Sequence, residues 1–308
     1  MKISRLIPKI FVRARDSLSF RFNKIDKMLG FSLLQLQTQS ENNYKFLWDA
    51  SFSLYSQNGE DGILSYLVRK LEIVRPSIIE FGAGDFSECN SRFLVEFFNA
   101  SSFLVDGNSS LVSNVQKSRL MGKATLAAKQ EWITRENAKQ IFHEGAEKLG
   151  GIDIVSLDLD GMDYWVLSTL PLENVSILVI EFNAVLSTRL AVTVPYDSNF
   201  NRSREHFSNL YYGASLKAFC DFLRPKNFHL VGTTLQGSNA FFVRSEKLHI
   251  FKDLQIDLLL FQDSRSRESR DLSGNLTYLT GEARADVIRD CELINLETGG
   301  TLPVSEAQ

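Results

Sequence analysis

Carboxylates stand where short apolar runs end in this 308-residue chain. The run Ser77-Ile78-Ile79-Glu80-Phe81 leads into Gly82-Ala83-Gly84-Asp85-Phe86-Ser87. Glycines at such a point let the backbone turn tightly and approach a ligand closely. The Glu80 carboxylate can accept hydrogen bonds from a ligand ammonium group. A second run, Ser102-Phe103-Leu104-Val105, ends in Asp106. An acid there can accept from both hydroxyls of a ribose. A Gly-x-Gly turn followed about twenty residues later by an acid at another strand end points to a nucleoside ligand. Ser87 takes the place of a third glycine, which counts against a dinucleotide oxidoreductase, and no G-x-x-x-x-G-K-[ST] motif occurs. The alternative is that Gly82 and Gly84 serve a turn and Asp106 caps a helix.

Two later runs carry more oxygen. One ends in Asp158-Leu159-Asp160-Gly161-Met162-Asp163-Tyr164-Trp165, the other in Glu181-Phe182-Asn183. Crowded carboxylates repel unless a cation or a proton sits among them. Oxygen-only donors suit Mg²⁺ or Ca²⁺ rather than zinc. The competing assignment makes Asp160 and Asp163 a turn and a helix cap, with Glu181 paired to a base. A long polar stretch, 184–210, follows with Tyr196, Asp197, Arg202, Arg204 and His206. Loops of this length in compact domains are usually functional. His206 is a candidate general base, because imidazole titrates near neutral pH.

The elements that must hold these residues alternate. A helix is expected from about Gln57 to Leu71, capped by Ser56, with Glu60 and Asp61 near its N-terminal dipole. Strands are expected at 77–81, 102–106, 123–128, 152–158, 177–181, 229–233 and 240–244, with helical patterns between the earlier ones. Near-continuous apolar strands joined by crossovers give a doubly wound, Rossmann-like α/β sheet, mostly parallel and seven-stranded. Gln236-Gly237-Ser238-Asn239 reads as a hairpin turn, so the last strand should be antiparallel. Three regions are expected. They are a basic helical extension and linker (1–50), the α/β domain (51–246), and a C-terminal helical segment with a polar tail (247–308).

Hydrophobic residues make up 44% and phenylalanines number 23, enough for a full core. The net charge of −3 gives no reason to expect nucleic acid. The charge is uneven, however. Residues 1–30 hold eight basic and two acidic side chains, about +6. Ile3, Leu6, Ile7, Ile10 and Phe11 recur there at helical spacing. A solvated helix packing on its own domain or a partner chain is one reading; peripheral docking on an anionic membrane is the other. Cys89, Cys220 and Cys291 lie far apart, which argues against a disulfide framework and a structural zinc. A reducing cytoplasm is expected, with no secretory leader.

Several runs together resemble a known family. Ser56-Gln57-Asn58-Gly59-Glu60-Asp61 is similar to the S-Q-x-G-E-D opening of FkbM-like methyltransferase domains and their relatives in glycan biosynthesis clusters. SLDLDGMDYWVL, VIEFN, VPYD, YYGASL and NAFFVR follow in the order of that branch, covering about residues 54–245. The resemblance implies a class I methyltransferase fold using S-adenosylmethionine. It sets Glu80, Gly82, Gly84 and Ser87 toward the methionine end, Asp106 toward the ribose, and Glu131 and Trp132 toward adenine. Macrocin-type sugar O-methyltransferases, more distant relatives, hold Mg²⁺ with acids at the fourth and fifth strand ends. By likeness, Asp158, Glu181 and Asn183 would be the ligands here. This chain departs from them in having Glu-x-Asn instead of adjacent acids, and Gly161 in place of a histidine. The expected activity is methyl transfer to a hydroxyl of a sugar or glycan-related acceptor. Asp158, Asp163 and His206 are the candidate catalytic groups. A non-catalytic binding module of the same fold is the alternative.

Overall fold

The computed structural model describes residues 24–118, 120, 125–256 and 268–308. The chain divides into two compact units, Met1–Asn43 and Tyr44–Gln308. In the first, residues 24–40 form helix α1. The expected amphipathic run at residues 3–11 lies outside the described residues, as do Lys123 and Ala124 of the third expected strand.

The second unit is built on a seven-stranded sheet. Its strands are β1 (Ser77–Phe81), β2 (Ser101–Asp106), β3 (Leu126–Gln130), β4 (Ile154–Leu157), β5 (Ile177–Glu181), β7 (Phe228–Thr233) and β8 (Asn239–Arg244). A two-residue strand β6, Val192–Thr193, belongs to a second sheet. The order across the large sheet is β3-β2-β1-β4-β5-β8-β7. Strands β1 to β5 run parallel; β8 is antiparallel to both neighbours. The order reverses between β1 and β4, and ligands in doubly wound sheets bind at such a switch point. The expected Rossmann-like fold with an antiparallel last strand is therefore the observed one. The hairpin carries β8 inward, so that it pairs with β5 and leaves β7 at the edge.

Apolar layers cover both faces of this sheet. Ile79, Phe81, Phe103, Val155, Leu157 and Ile180 face one core, shared with the helices Ala138–Leu149 and Leu216–Leu223. Ile78, Leu104, Ile154, Ile177 and Val179 face the other, shared with α2 (Glu60–Lys70). This alternation along each strand is the pleat expressed as burial.

Helix α2 begins three residues later than expected. Gly59 precedes it in a left-handed conformation (φ +94°). Ser56 nevertheless supports the start: its Oγ accepts from Asp61 N–H at 3.0 Å, and Asp61 Oδ2 accepts from Ser56 N–H at 3.1 Å. The expected linker at 38–50 is also revised. Leu47 and Ala50 are fully buried, and Leu47 lies where a Cβ on Gly232 would come within 2.4 Å. Its polar composition hid two core anchors.

The C-terminal region differs most from expectation. Residues 245–251 form a 3₁₀ helix, and the polar tail folds back. Strands β9 (Glu292–Asn295) and β10 (Thr301–Pro303) pair antiparallel, and β9 pairs with β6. Leu293, Val304 and Ala307 join Val192, Val194 and Leu210 in a third core. The tail thus holds part of the long segment after β5.

Candidate functional site

The carboxyl ends of β1, β2 and β4 surround a cavity of about 350 Å³. Gly82, just after β1, has φ +89°, and a Cβ built on it would lie 1.7 Å from the Asp158 carbonyl oxygen. Only glycine lets the tips of β1 and β4 approach this closely. Gly84 (φ +58°) has open space instead. Its N–H donates to Asp106 Oδ2 at 2.8 Å, while Asn108 N–H donates to Oδ1 at 2.7 Å. These bonds fix the carboxylate at the cavity edge and leave each oxygen further acceptor capacity.

Trp132 lines the same cavity, its indole packed over Gly107, the neighbour of Asp106, where a Cβ would meet the ring at 3.0 Å. The Trp132 Nε1–H donates to the Ser198 carbonyl at 2.8 Å. That bond ties the wall to the segment following β6. Phe200 of the same segment sits on Gly161, where a Cβ would approach its ring to 2.3 Å. The long polar stretch therefore closes one side of the cavity.

Asp158 lies between this cavity and a smaller one of about 50 Å³; Gly82 also borders both. The smaller cavity is walled by Glu60, Glu80, Glu88 and Asn239. Glu80 is buried and accepts from the N–H groups of Asn90 (2.7 Å) and Ser91 (3.0 Å). Burial raises its pKa above the usual carboxylate range. Glu60 Oε1 accepts from Asn239 Nδ2 at 2.8 Å, whereas Asn239 Oδ1 is buried without a hydrogen-bond partner. Nothing in the sequence signals the pairing of Glu60 with Asn239. Asn239 is a polar residue opening an apolar strand, which does not name its partner.

Asp158, Asp160 and Glu181 bring one oxygen each within 4.8 Å of one another. β4 ends before Asp158, and Asp160 sits in a turn with φ +52°, so a turn rather than the strand pleat brings these acids together. Burial pushes both Asp158 and Glu181 well above the ordinary carboxylate range, and repulsion from Asp160 for the first and from Asp158 for the second adds to it. Glu181 Oε2 is buried and has no hydrogen-bond partner. Arg202, from the short helix Arg202–Glu205, reaches this cluster. Its Nη1 lies 3.2 Å from Asp160 and 3.8 Å from Glu181, and its guanidinium stacks 3.7 Å from the centre of the Tyr212 ring. The expected pairing of Glu181 with a base is thus present beside the acid cluster. The donor set, all oxygen with one orphaned acceptor, fits a hard divalent cation.

Other expected site residues lie elsewhere. Asn183 is buried and committed to structure: its Nδ2 donates to the carbonyls of Leu210 and Tyr212, and its Oδ1 accepts from Val185 N–H. These three bonds make it a brace for the segment carrying Tyr212. Asp163 is buried beneath the 159–161 turn, accepting from Leu159 and Gly161 N–H. Burial lifts its pKa to about 7. It holds the turn that presents Asp160 and does not line the cavity, so the turn-and-cap assignment describes it. His206 pairs its Nδ1 with Ser208 Oγ at 2.8 Å and lies outside the cavity lining. Burial keeps it below its ordinary pKa. Ser87 bonds Asp85 instead of facing the cavity. Glu131 bonds Asn137 Nδ2 and pairs with Lys129, leaving the wall to its neighbour Trp132.

No family model matches the chain, so the FkbM-like likeness of its motifs has no counterpart there. No curated protein matches it. Among solved structures, a Lactococcus lactis protein provisionally named a hemolysin is similar over 68% of this chain and 97% of its own, at 10% identity and a TM-score of 0.38. TnmH is similar over 60% of this chain and 56% of its own, at 12% identity and 0.35. An O-methyltransferase family 2 protein from Planctomyces limnophilus, in complex with apigenin, is similar over 71% and 61%, at 12% identity and 0.33.

Proposed function

We propose that the protein transfers a methyl group from S-adenosylmethionine to a hydroxyl of a sugar-like acceptor, with a divalent cation at the acid cluster. The observation that carries this reading is the cavity at the switch point, lined by both Asp106 and Trp132. Its volume, about 350 Å³, suits a nucleoside-bearing ligand. The Asp106 carboxylate would take the ribose hydroxyls, and the Trp132 ring would stack on the base. The adjoining small cavity, with Glu60, Glu80 and the orphaned Asn239 Oδ1, offers acceptors for an ammonium group. When bound, S-adenosylmethionine supplies an electrophilic methyl group.

The acceptor end of the cavity is polar, with Asp160, Asn201, Arg202, Ser203 and Asn209 along it. Such a lining favours a polyhydroxylated acceptor. Asp158, Asp160 and Glu181 would hold Mg²⁺, which when bound stabilises negative charge on an acceptor oxygen. Asp158 alone of the three candidate catalytic groups lines the cavity. As a ligand of the cation it would act through the metal, which when bound lowers the pKa of an acceptor hydroxyl, and the acceptor proton would leave to solvent. The protein's main task is alignment of acceptor oxygen, methyl carbon and sulfur.

Calorimetry with S-adenosylhomocysteine tests this. Binding is expected, and Trp132→Ala and Asp106→Ala should each weaken it by about tenfold or more. No binding by the intact protein, or tighter binding of NAD⁺, would refute the assignment. Labelled S-adenosylmethionine with sugar extracts, with and without Mg²⁺, then tests turnover.

A further inference from the structure

Helix α1 carries an apolar stripe that no described residue covers. Ile25, Met28, Leu29 and Leu36 are 57%, 63%, 46% and 62% exposed. Their spacing places them on one side of the helix, with Ser32 and Gln39 completing the row. Gly30 and Gln37, off this row, are buried. Four large aliphatic side chains in one exposed line are a surface built to be covered. Lys24, four residues before Met28, borders it, and the thirty-residue segment that includes it is strongly basic, about +6.

We propose that this helix, with the basic chain before it, docks the protein on an anionic lipid bilayer. The stripe enters the boundary between headgroups and acyl chains while the cations meet the headgroups. Charge decides between occupants. A second copy would bring two segments of about +6 face to face, which repels. An anionic bilayer offers apolar depth and negative charge together. The helix would lie on the membrane: its 17 residues extend only about 25 Å, and no described helix is long and apolar enough to cross.

The test is co-sedimentation of the full chain with vesicles. Binding is expected to phosphatidylcholine vesicles containing about 30% phosphatidylserine and not to phosphatidylcholine alone. The triple substitution Ile25→Glu, Leu29→Glu, Leu36→Glu should lower the partition coefficient about a hundredfold or more. The urea midpoint of the triple variant should match the parent's, because the three side chains are exposed. Absence of binding to anionic vesicles overturns the proposal, and so does binding that survives the triple substitution. Sedimentation equilibrium showing a dimer that this variant dissociates, without vesicle binding, overturns it in favour of a second copy.

Discussion

Gly82 and Gly84 look alike in the sequence, yet the structure assigns them different costs of substitution. Both have positive φ, +89° and +58°, so alanine at each meets left-handed backbone strain of about 1–2 kcal/mol. Gly84 incurs little else, since no atom lies within 4 Å of its built Cβ. At Gly82 the Cβ lands 1.7 Å from the Asp158 carbonyl oxygen, whereas real Cβ atoms essentially never come under 3.0 Å. The tips of β1 and β4 would have to part by more than an ångström. That movement strains two backbone bonds at this place, Asp158 N–H to Phe81 O at 3.0 Å and Gly82 N–H to Val105 O at 2.9 Å. Losing one buried hydrogen bond costs about 1–3 kcal/mol. Gly82→Ala is therefore expected to destabilise by about 2–5 kcal/mol, and Gly84→Ala by about 1–2 kcal/mol. Urea unfolding at constant m reads the difference directly. Calorimetry on the folded fraction should show that Gly82→Ala also abolishes S-adenosylhomocysteine binding, because Gly82 lines the cavity. Equal destabilisation by the two substitutions, or a larger effect at Gly84, would show that the strand tips do not meet as described.

Three further outcomes follow from the same geometry. Arg202→Gln removes the guanidinium that competes for the acid cluster, so Mn²⁺ affinity measured by calorimetry should rise about tenfold; an unchanged or weaker affinity contradicts that competition. Glu181→Gln should cost about a hundredfold in Mn²⁺ affinity with a near-parental urea midpoint, whereas Asn183→Ala should lower stability by about 2–4 kcal/mol through its three buried hydrogen bonds. The reverse pattern would exchange ligand and brace. Asp61, remote in sequence from that cluster, has its pKa raised to about 6, chiefly by burial. Because the folded value exceeds the unfolded one, the neutral acid is favoured by folding. Its contribution is full below about pH 4 and lost as pH rises through about 6, roughly 3 kcal/mol in all. Asp61→Asn should flatten that part of the stability–pH curve, and an unchanged slope would place the titration elsewhere.

The sequence was most legible where burial is complete. Strands β1, β2, β4, β5, β7 and β8 were each readable within two residues, because a strand covered on both faces is a continuous apolar run. The turn 236–239 fixed the antiparallel hairpin for a similarly local reason. Helix α2 was placed but started early, since left-handed Gly59, packed so close to Ser51 that a side chain there would clash, breaks the run before Glu60. The small sheet of β6, β9 and β10 escaped notice. Its strands are two to four residues long, and β6 finds its partner β9 about one hundred residues away.

By itself the sequence determined the doubly wound sheet, the place of the ligand rim, and the acids that crowd it. These depend on hydrophobic period and on residues at strand ends, which are local properties. Only the tertiary structure decided which polar groups face the cavity and which hold backbone. Asp158 and Asp163 are five residues apart and chemically identical, yet one borders open space and the other is spent on two amide N–H groups. Asn183 and Glu181 divide in the same way. That division is set by long-range packing, which brings Arg202, Asn239 and the tail strands to residues far from them in the chain.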